Sequence, residues 1–190
     1  MKMYHIKDDK RSIQSADLIV AGFNRLLLKA KYEELTVTAI VQEAGVGRTT
    51  FYRNFDDKAD ILLYQMDMNF TKAYESIMTI FEKQAITERI FYKLFFSFWM
   101  TKKDLLRLIL EANLFNNYQH EFLRFLKTKF TFLPGLIHAD EREWDYFIEI
   151  RCAMLSTALK VAVLSYPADS ADEIAEILIK LFGNKQLIIT

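Results

Sequence analysis

Six residues within one short run carry side chains suited to nucleic acid: Arg48, Thr49, Thr50, Tyr52, Arg53 and Asn54. A guanidinium fork meets O6 and N7 of guanine together, a threonine methyl packs on the thymine methyl, and hydroxyl or amide donors suit phosphate oxygens. Such contacts need a short helix held outward, narrow enough for the major groove. The residues before the run supply that setting. Thr36 is a good N-cap, and Val37, Ile40, Val41 and Ala44 form the apolar face of a short helix. Gly45 ends it as a glycine at C′ does, and Val46 plugs the turn. Phe51 and Phe55, four apart, face inward on a third helix over about 48–55. Two short helices joined by a tight glycine turn and packed on a longer one make a helix-turn-helix.

The longer helix is predicted over 11–31, where Ile13, Ala16, Val20, Phe23, Leu27 and Ala30 step by three and four, with Asp9 or Ser12 as cap. Asp56 or Asp57 caps a long fourth helix reaching about 82. Helical periodicity continues over 87–100, 103–115, 118–132, 141–166 and 171–182, the last capped by Asp169 or Ser170. Pro134-Gly135 and Pro167 are the clear stops. The tail 187–189 is β-prone but has no partner strand in sight. The fold class is all-α: an N-terminal three-helix helix-turn-helix unit joined by a long helix to a C-terminal helical unit.

Composition agrees. The chain has 190 residues, 52% hydrophobic, with 16 Phe against 5 Gly and 2 Pro, and no net charge. Residues 1–58 hold ten Lys and Arg against eight Asp and Glu, so the basic excess lies at the helix-turn-helix end but is small. No apolar run reaches the roughly 18 residues of a membrane span. The N-terminus is polar and charged, unlike a signal peptide, and the single Cys152 fits the reducing cytoplasm. An enzyme is not expected. His5, His120 and His138 lack metal-ligand spacing, and no glycine-rich phosphate loop or nucleophile elbow appears, so neither metal nor cofactor is implied. Cys152, mid-helix in an apolar stretch, reads as a buried thiol.

The segment from Thr36 to Lys58, Thr-Val-Thr-Ala-Ile-Val-Gln-Glu-Ala-Gly-Val-Gly-Arg-Thr-Thr-Phe-Tyr-Arg-Asn-Phe-Asp-Asp-Lys, resembles the N-terminal domain of the TetR/AcrR family of regulators. The match extends over about 11–63, with Ala44-Gly45-Val46, Thr50-Phe51-Tyr52, Phe55 and Lys58 in family order and spacing. Gly47 departs from it, since the family often has a capping side chain there. The resemblance implies a DNA-binding domain over 1–58 and a helical ligand-binding and dimerisation domain over 59–190. It implies base-facing roles for Arg48 and Thr49, with Thr50 ranked below them. Tyr52 and Lys58 are implied as phosphate contacts, with Thr38, Arg53 and Asn54 as further candidates.

In the C-terminal part the resemblance carries architecture alone. The aromatic stripe there reads as core or, alternatively, as the lining of a mostly apolar cavity. The pocket candidates are Phe95, Phe98, Trp99, Asn113, Phe115, Tyr118, Phe147 and Arg151. A dimer face is expected on the last two long helices, at Leu155, Ala158, Leu159, Ala162, Ile174, Ile177, Leu178 and Leu181, with an intramolecular core as the alternative for these residues. The expected function is a repressor that binds a palindromic operator as a homodimer and is released by a small, mostly apolar ligand. The alternative is a helix-turn-helix activator or co-activator controlled by a protein partner.

Overall fold

The structure, a computed structural model, describes residues 4–83, 86–131, 139–183 and 188–189. It is all-α apart from one two-residue ladder. The helices are α1 (Lys10–Leu27), α2 (Val37–Ala44), α3 (Arg48–Asn54), α4 (Lys58–Phe81), α5 (Glu88–Met100), α6 (Lys103–Glu111), α7 (Phe115–Lys129), α8 (Glu141–Leu164) and α9 (Ala171–Phe182). The expected stop at Pro134-Gly135 lies outside the described residues. The tail does find a partner: Ile86–Thr87 pairs antiparallel with Ile188–Ile189, bringing the end of the chain beside the start of α5. A pairing so distant in sequence leaves no local signal.

Helix starts follow their caps. Asp9 accepts from the Arg11 and Ser12 amides, Thr36 from Ala39, Thr87 from Ile90, and Ser170 from Glu173. Asp57 and Asp140 open α4 and α8 with reciprocal capping boxes. The buried Asp60 accepts the Asp56 amide at 2.8 Å, and its burial raises the carboxyl above its ordinary range. Expectation fails at α6, which stops at Glu111 because Asn113 takes a left-handed φ of 57°. The Leu114 amide then bonds back to Ile109 carbonyl, and α7 starts at Phe115.

The face of α1 differs from its apolar stripe. Ser12, Ser15, Ala16, Ile19, Gly22 and Phe23 are buried, while Ile13 is exposed. Gly22 explains part of this turn of the helix. A Cβ there would sit 2.8 Å from Ala44 Cα, so only glycine lets α1 and α2 approach so closely. The two serines explain the rest, through partners on α3.

Helix α4 runs from the helix-turn-helix into the C-terminal body. Near its start, Tyr64 meets the rings of Phe55 and Tyr4 edge-on. Further along, Phe70 stacks between Tyr118 and Phe122 of α7. Helices α5 and α9 pack together, and α7 lies against α8.

Candidate nucleic-acid interface

The turn between α2 and α3 is built as its sequence demands. Gly45 takes φ 67°, its amide bonds to Gln42 carbonyl, and the Val46 amide bonds to Val41 carbonyl. That geometry closes α2 and redirects the chain into α3. Gly47 precedes α3 without a side-chain cap. Phe51 and Phe55 are fully buried and hold α3 against the core.

The opposite face is free. Arg48, Thr49, Tyr52 and Arg53 on α3 are exposed, as is Thr38 near the start of α2, while Thr50 is half-buried. Arg48 and Arg53 form no ion pair among the described residues, so both guanidiniums are open to a polyanion. The Tyr52 ring leans edge-on against Phe51, centroids 5.4 Å apart, which holds its hydroxyl outward. The exposed residues of these two short helices therefore offer hydroxyls and cations to solvent.

Two expected phosphate contacts are corrected. Asn54 is fully buried. Its amide donates to Thr50 carbonyl at 2.7 Å and Ser15 Oγ at 3.2 Å, and its oxygen accepts from Ser12 Oγ at 3.1 Å. It therefore joins α3 to α1 and has no path to DNA. The N-terminal segment adds to this junction: the His5 amide donates to Asn54 carbonyl and the Lys7 amide to Ser12 Oγ. The sequence offered Ser12 only as a helix cap and did not single out Ser15. Their place on the buried side of α1, four and one residues from Ala16, was the available signal.

Lys58 is the second correction. Its Nζ lies 2.8, 3.1 and 2.9 Å from the carbonyls of Tyr32, Glu33 and Leu35, and 4.5 Å from the Tyr32 ring centre. An ammonium has three donors, and three carbonyls take them here. Lys58 thus ties the start of α4 to the turn between α1 and α2.

Comparisons with known proteins agree with this geometry. The family model for bacterial regulatory proteins of the tetR family matches residues 19–64, which span α2 and α3. An HTH-type transcriptional regulator of Staphylococcus aureus (strain bovine RF122 / ET3-1) is 25% identical over 160 residues, 83% of this chain and 84% of that protein. Another from strain USA300 is 24% identical over 163 residues, 84% of each. Residues 19–64 are a tetR-family regulatory domain. It is a DNA-binding transcriptional regulator. Two solved structures share the fold: the dihydroxyacetone kinase operon activator DhaS (17% identity, TM-score 0.58, 89% of this chain and 94% of that one) and the fatty acid degradation regulator FadR from Bacillus halodurans (15%, TM-score 0.55, 96% and 99%).

Among the described residues the expected pocket residues surround no open cavity. Phe95, Trp99 and Tyr118 are buried in an aromatic cluster around Phe70 and Phe122. The space between these rings is about 20 Å³. That holds about one water and no ligand. Phe98, Phe115 and Phe147 are half-buried at its borders. Asn113 is exposed, because its left-handed backbone ends α6. The Arg151 guanidinium is neutralised by Glu88 and stacks over the Tyr92 and Phe147 rings at 5.6 and 5.1 Å. Within the cluster, Trp99 Nε1 and Tyr118 hydroxyl have no hydrogen-bond partner. Burial raises the Tyr118 pKa far above its ordinary value, which keeps the phenol neutral.

The expected dimer face is also corrected. Leu155, Leu159, Ala162, Ile174 and Leu178 are buried within the single chain, and Ala158 is half-buried, so these form intramolecular core. Ile177 and Leu181 are exposed. The sequence reading missed a second stripe on α8: Tyr146, Ile150, Val161 and Leu164 are all exposed, with the small Ala153 and Thr157 between them. Their steps of four, three, four, four and three are helical, so the stripe was present in the pattern. It was masked by the stronger inner stripe on the same helix. Among the described residues, no helix is long and apolar enough to cross a membrane.

Proposed function

We propose that this chain is a homodimeric repressor whose two α3 helices read the half-sites of a palindromic operator, and which a small, mostly apolar molecule releases. The observation that carries the reading is the unpaired outer face of α3, where Arg48, Thr49, Tyr52 and Arg53 stand exposed on a helix fixed from behind by Phe51, Asn54 and Phe55. Residues 1–58 are the DNA-binding domain and 59–190 the effector and dimerisation domain in this reading. Arg48 and Thr49, then Thr50, face bases; Tyr52, Arg53 and Thr38 meet phosphates.

The occupant of the α8–α9 stripe is a second copy of the chain. Tyr146, Ile150, Leu164, Ile177 and Leu181 leave large apolar side chains open on two helices, and a two-fold axis across them makes a four-helix interface that also places two α3 helices for a two-fold site. Release by a ligand is a population shift: the ligand must favour the α3 spacing that fits the operator poorly. Helix α4, which reaches from Lys58 to the Phe70 cluster, is the element that links the two.

A second reading, control by a protein partner, is favoured by one observation: the aromatic core holds only about 20 Å³ of space. Selection of bound duplexes from a random pool, followed by titration at two salt concentrations, tests the DNA reading. A palindrome with affinity falling steeply in salt is the expected result. Weak, non-selective binding would remove the operator claim and leave the partner reading in front.

A further inference from the structure

The segment before α1 is tied to three helices. Tyr4 is buried and pairs with Phe55 in a single antiparallel bridge, and the His5 amide donates to Asn54 carbonyl at 2.9 Å. Asn54 is the last residue of α3, so this bond takes a helix-end carbonyl that has no partner within the helix. The Lys7 amide then donates to Ser12 Oγ on α1 at 3.0 Å. The Tyr4 side chain leaves this junction toward α4. Its ring lies edge-on to Tyr64, centroids 5.1 Å apart, and its hydroxyl donates to Asp67 Oδ2. Burial, and after it the bond to Asp67, holds the phenol well above its ordinary range, so it stays a donor. The ion pair of Arg124 with Glu121 on α7 is close enough to act on the same hydroxyl. Asp67 stands nine residues past Lys58, roughly 13 Å along α4 from its start. It is also three residues before Phe70, whose ring stacks on α7.

We infer that Tyr4 and Asp67 are positioning residues for operator readout: residues 4–7 form a brace that clips the end of α3 to the middle of α4 and sets the angle at which α3 meets the groove. The inference rests on the reading that α3 faces bases. Its mechanics follow from where the brace is attached. Helices α3 and α4 are joined through residues 55–57. A contact at that joint alone lets α3 pivot, whereas one roughly 13 Å along α4 opposes pivoting. Base contacts need α3 at one angle, so an α3 that samples several binds its operator with affinity reduced by the fraction held at the right one. Attraction to phosphates tolerates that spread. The brace also gives the C-terminal body a second route to α3 besides α4 itself, since a shift of α4 at Asp67 passes through Tyr4 to Phe55 and Asn54.

Tyr4→Phe is the test variant, because it keeps the ring against Tyr64 and removes only the hydroxyl. Full-length parent and variant are compared by hydrogen exchange without DNA, and by titration with the selected duplex and with an unrelated duplex. In the variant, amides of residues 50–55 are expected to exchange about tenfold faster while those of α8 keep their rates, the effect of one lost hydrogen bond to a carboxylate. The selected duplex is expected to bind about fivefold more weakly and the unrelated duplex as before. Asp67→Ala gives the same pattern, and adding Tyr4→Phe to it changes nothing further. Unchanged exchange in α3, an equal loss on both duplexes, or faster exchange with an unaltered preference for the selected duplex overturns the inference. If the parent selects no duplex, the operator reading fails by itself and exchange alone decides the brace: faster in α3 upholds it, unchanged overturns it.

Discussion

Asn54→Ala is the sharpest perturbation of the DNA-binding end, because two accounts of Asn54 give opposite outcomes. The structure buries the side chain completely and gives it Ser12, Ser15 and Thr50 as partners. Truncation removes three hydrogen bonds. It leaves the Ser12 hydroxyl proton without its acceptor, in a site where Ser12 itself is buried. One orphaned group costs about 1–3 kcal/mol. The space left by the amide adds to this, for a total of about 2–4 kcal/mol. Urea unfolding reads that loss directly. A cycle with Ser12→Ala should show a coupling of about 0.5–3 kcal/mol, since the two share one bond. Operator affinity falls too, because α3 loses its tie to α1. If Asn54→Ala leaves stability within about 0.5 kcal/mol of the parent while DNA affinity drops on every sequence, the buried-tie account is refuted and Asn54 is a phosphate contact after all.

Three further predictions concern other surfaces. Arg48→Ala should relax the preference at one base pair by about 1–3 kcal/mol, whereas Tyr52→Phe should weaken all sites alike; base-by-base titration separates them. Ile150→Lys should yield monomers in sedimentation and weaken operator binding with little loss of fold, whereas Leu155→Ala should cost about 2–5 kcal/mol of stability in the buried core. Burial pushes the Cys152 thiol up to about 12, with Glu149 adding to the shift. Iodoacetamide at pH 8 should therefore spare the folded chain and label the unfolded one. Because the folded thiol holds its proton above the ordinary value near 9, the folded state binds more protons than the unfolded one between about 9 and 12. Stability falls as pH rises through that window, and unfolding midpoints on either side of it check the sign.

The helix-turn-helix was legible because its signals are local. Thr36 caps, Gly45 turns left-handed, and Phe51 and Phe55 anchor α3, each decided by a residue and its near neighbours. Which face of α1 is buried was less legible. Apolar spacing favoured Ile13 and Val20, but Gly22 and two serines set the helix's rotation, and their reasons lie at Ala44 on α2 and Asn54 on α3. The ladder between 86–87 and 188–189 was beyond local reading, since it joins segments a hundred residues apart.

At the candidate sites, periodicity showed that α8 is apolar but not which neighbour each face meets. Leu155 and Leu159 lie on one side of the helix and Ile150 and Leu164 on the other; both sets step by threes and fours, and only the path of α6 and α7 decides which is enclosed. The same ambiguity governs the polar residues. An amide or ammonium suited to phosphate is equally suited to a backbone carbonyl. Asn54 and Lys58 meet carbonyls first because burial of Phe51 turns Asn54 toward α1 and the turn at Tyr32 places three carbonyls around Lys58. Residue type marked both positions as hydrogen-bond donors, and packing gave each an internal partner in place of the expected phosphate. The DNA surface we propose is the set that packing left open: Thr38, Arg48, Thr49, Tyr52 and Arg53, with Thr50 half-buried beside them.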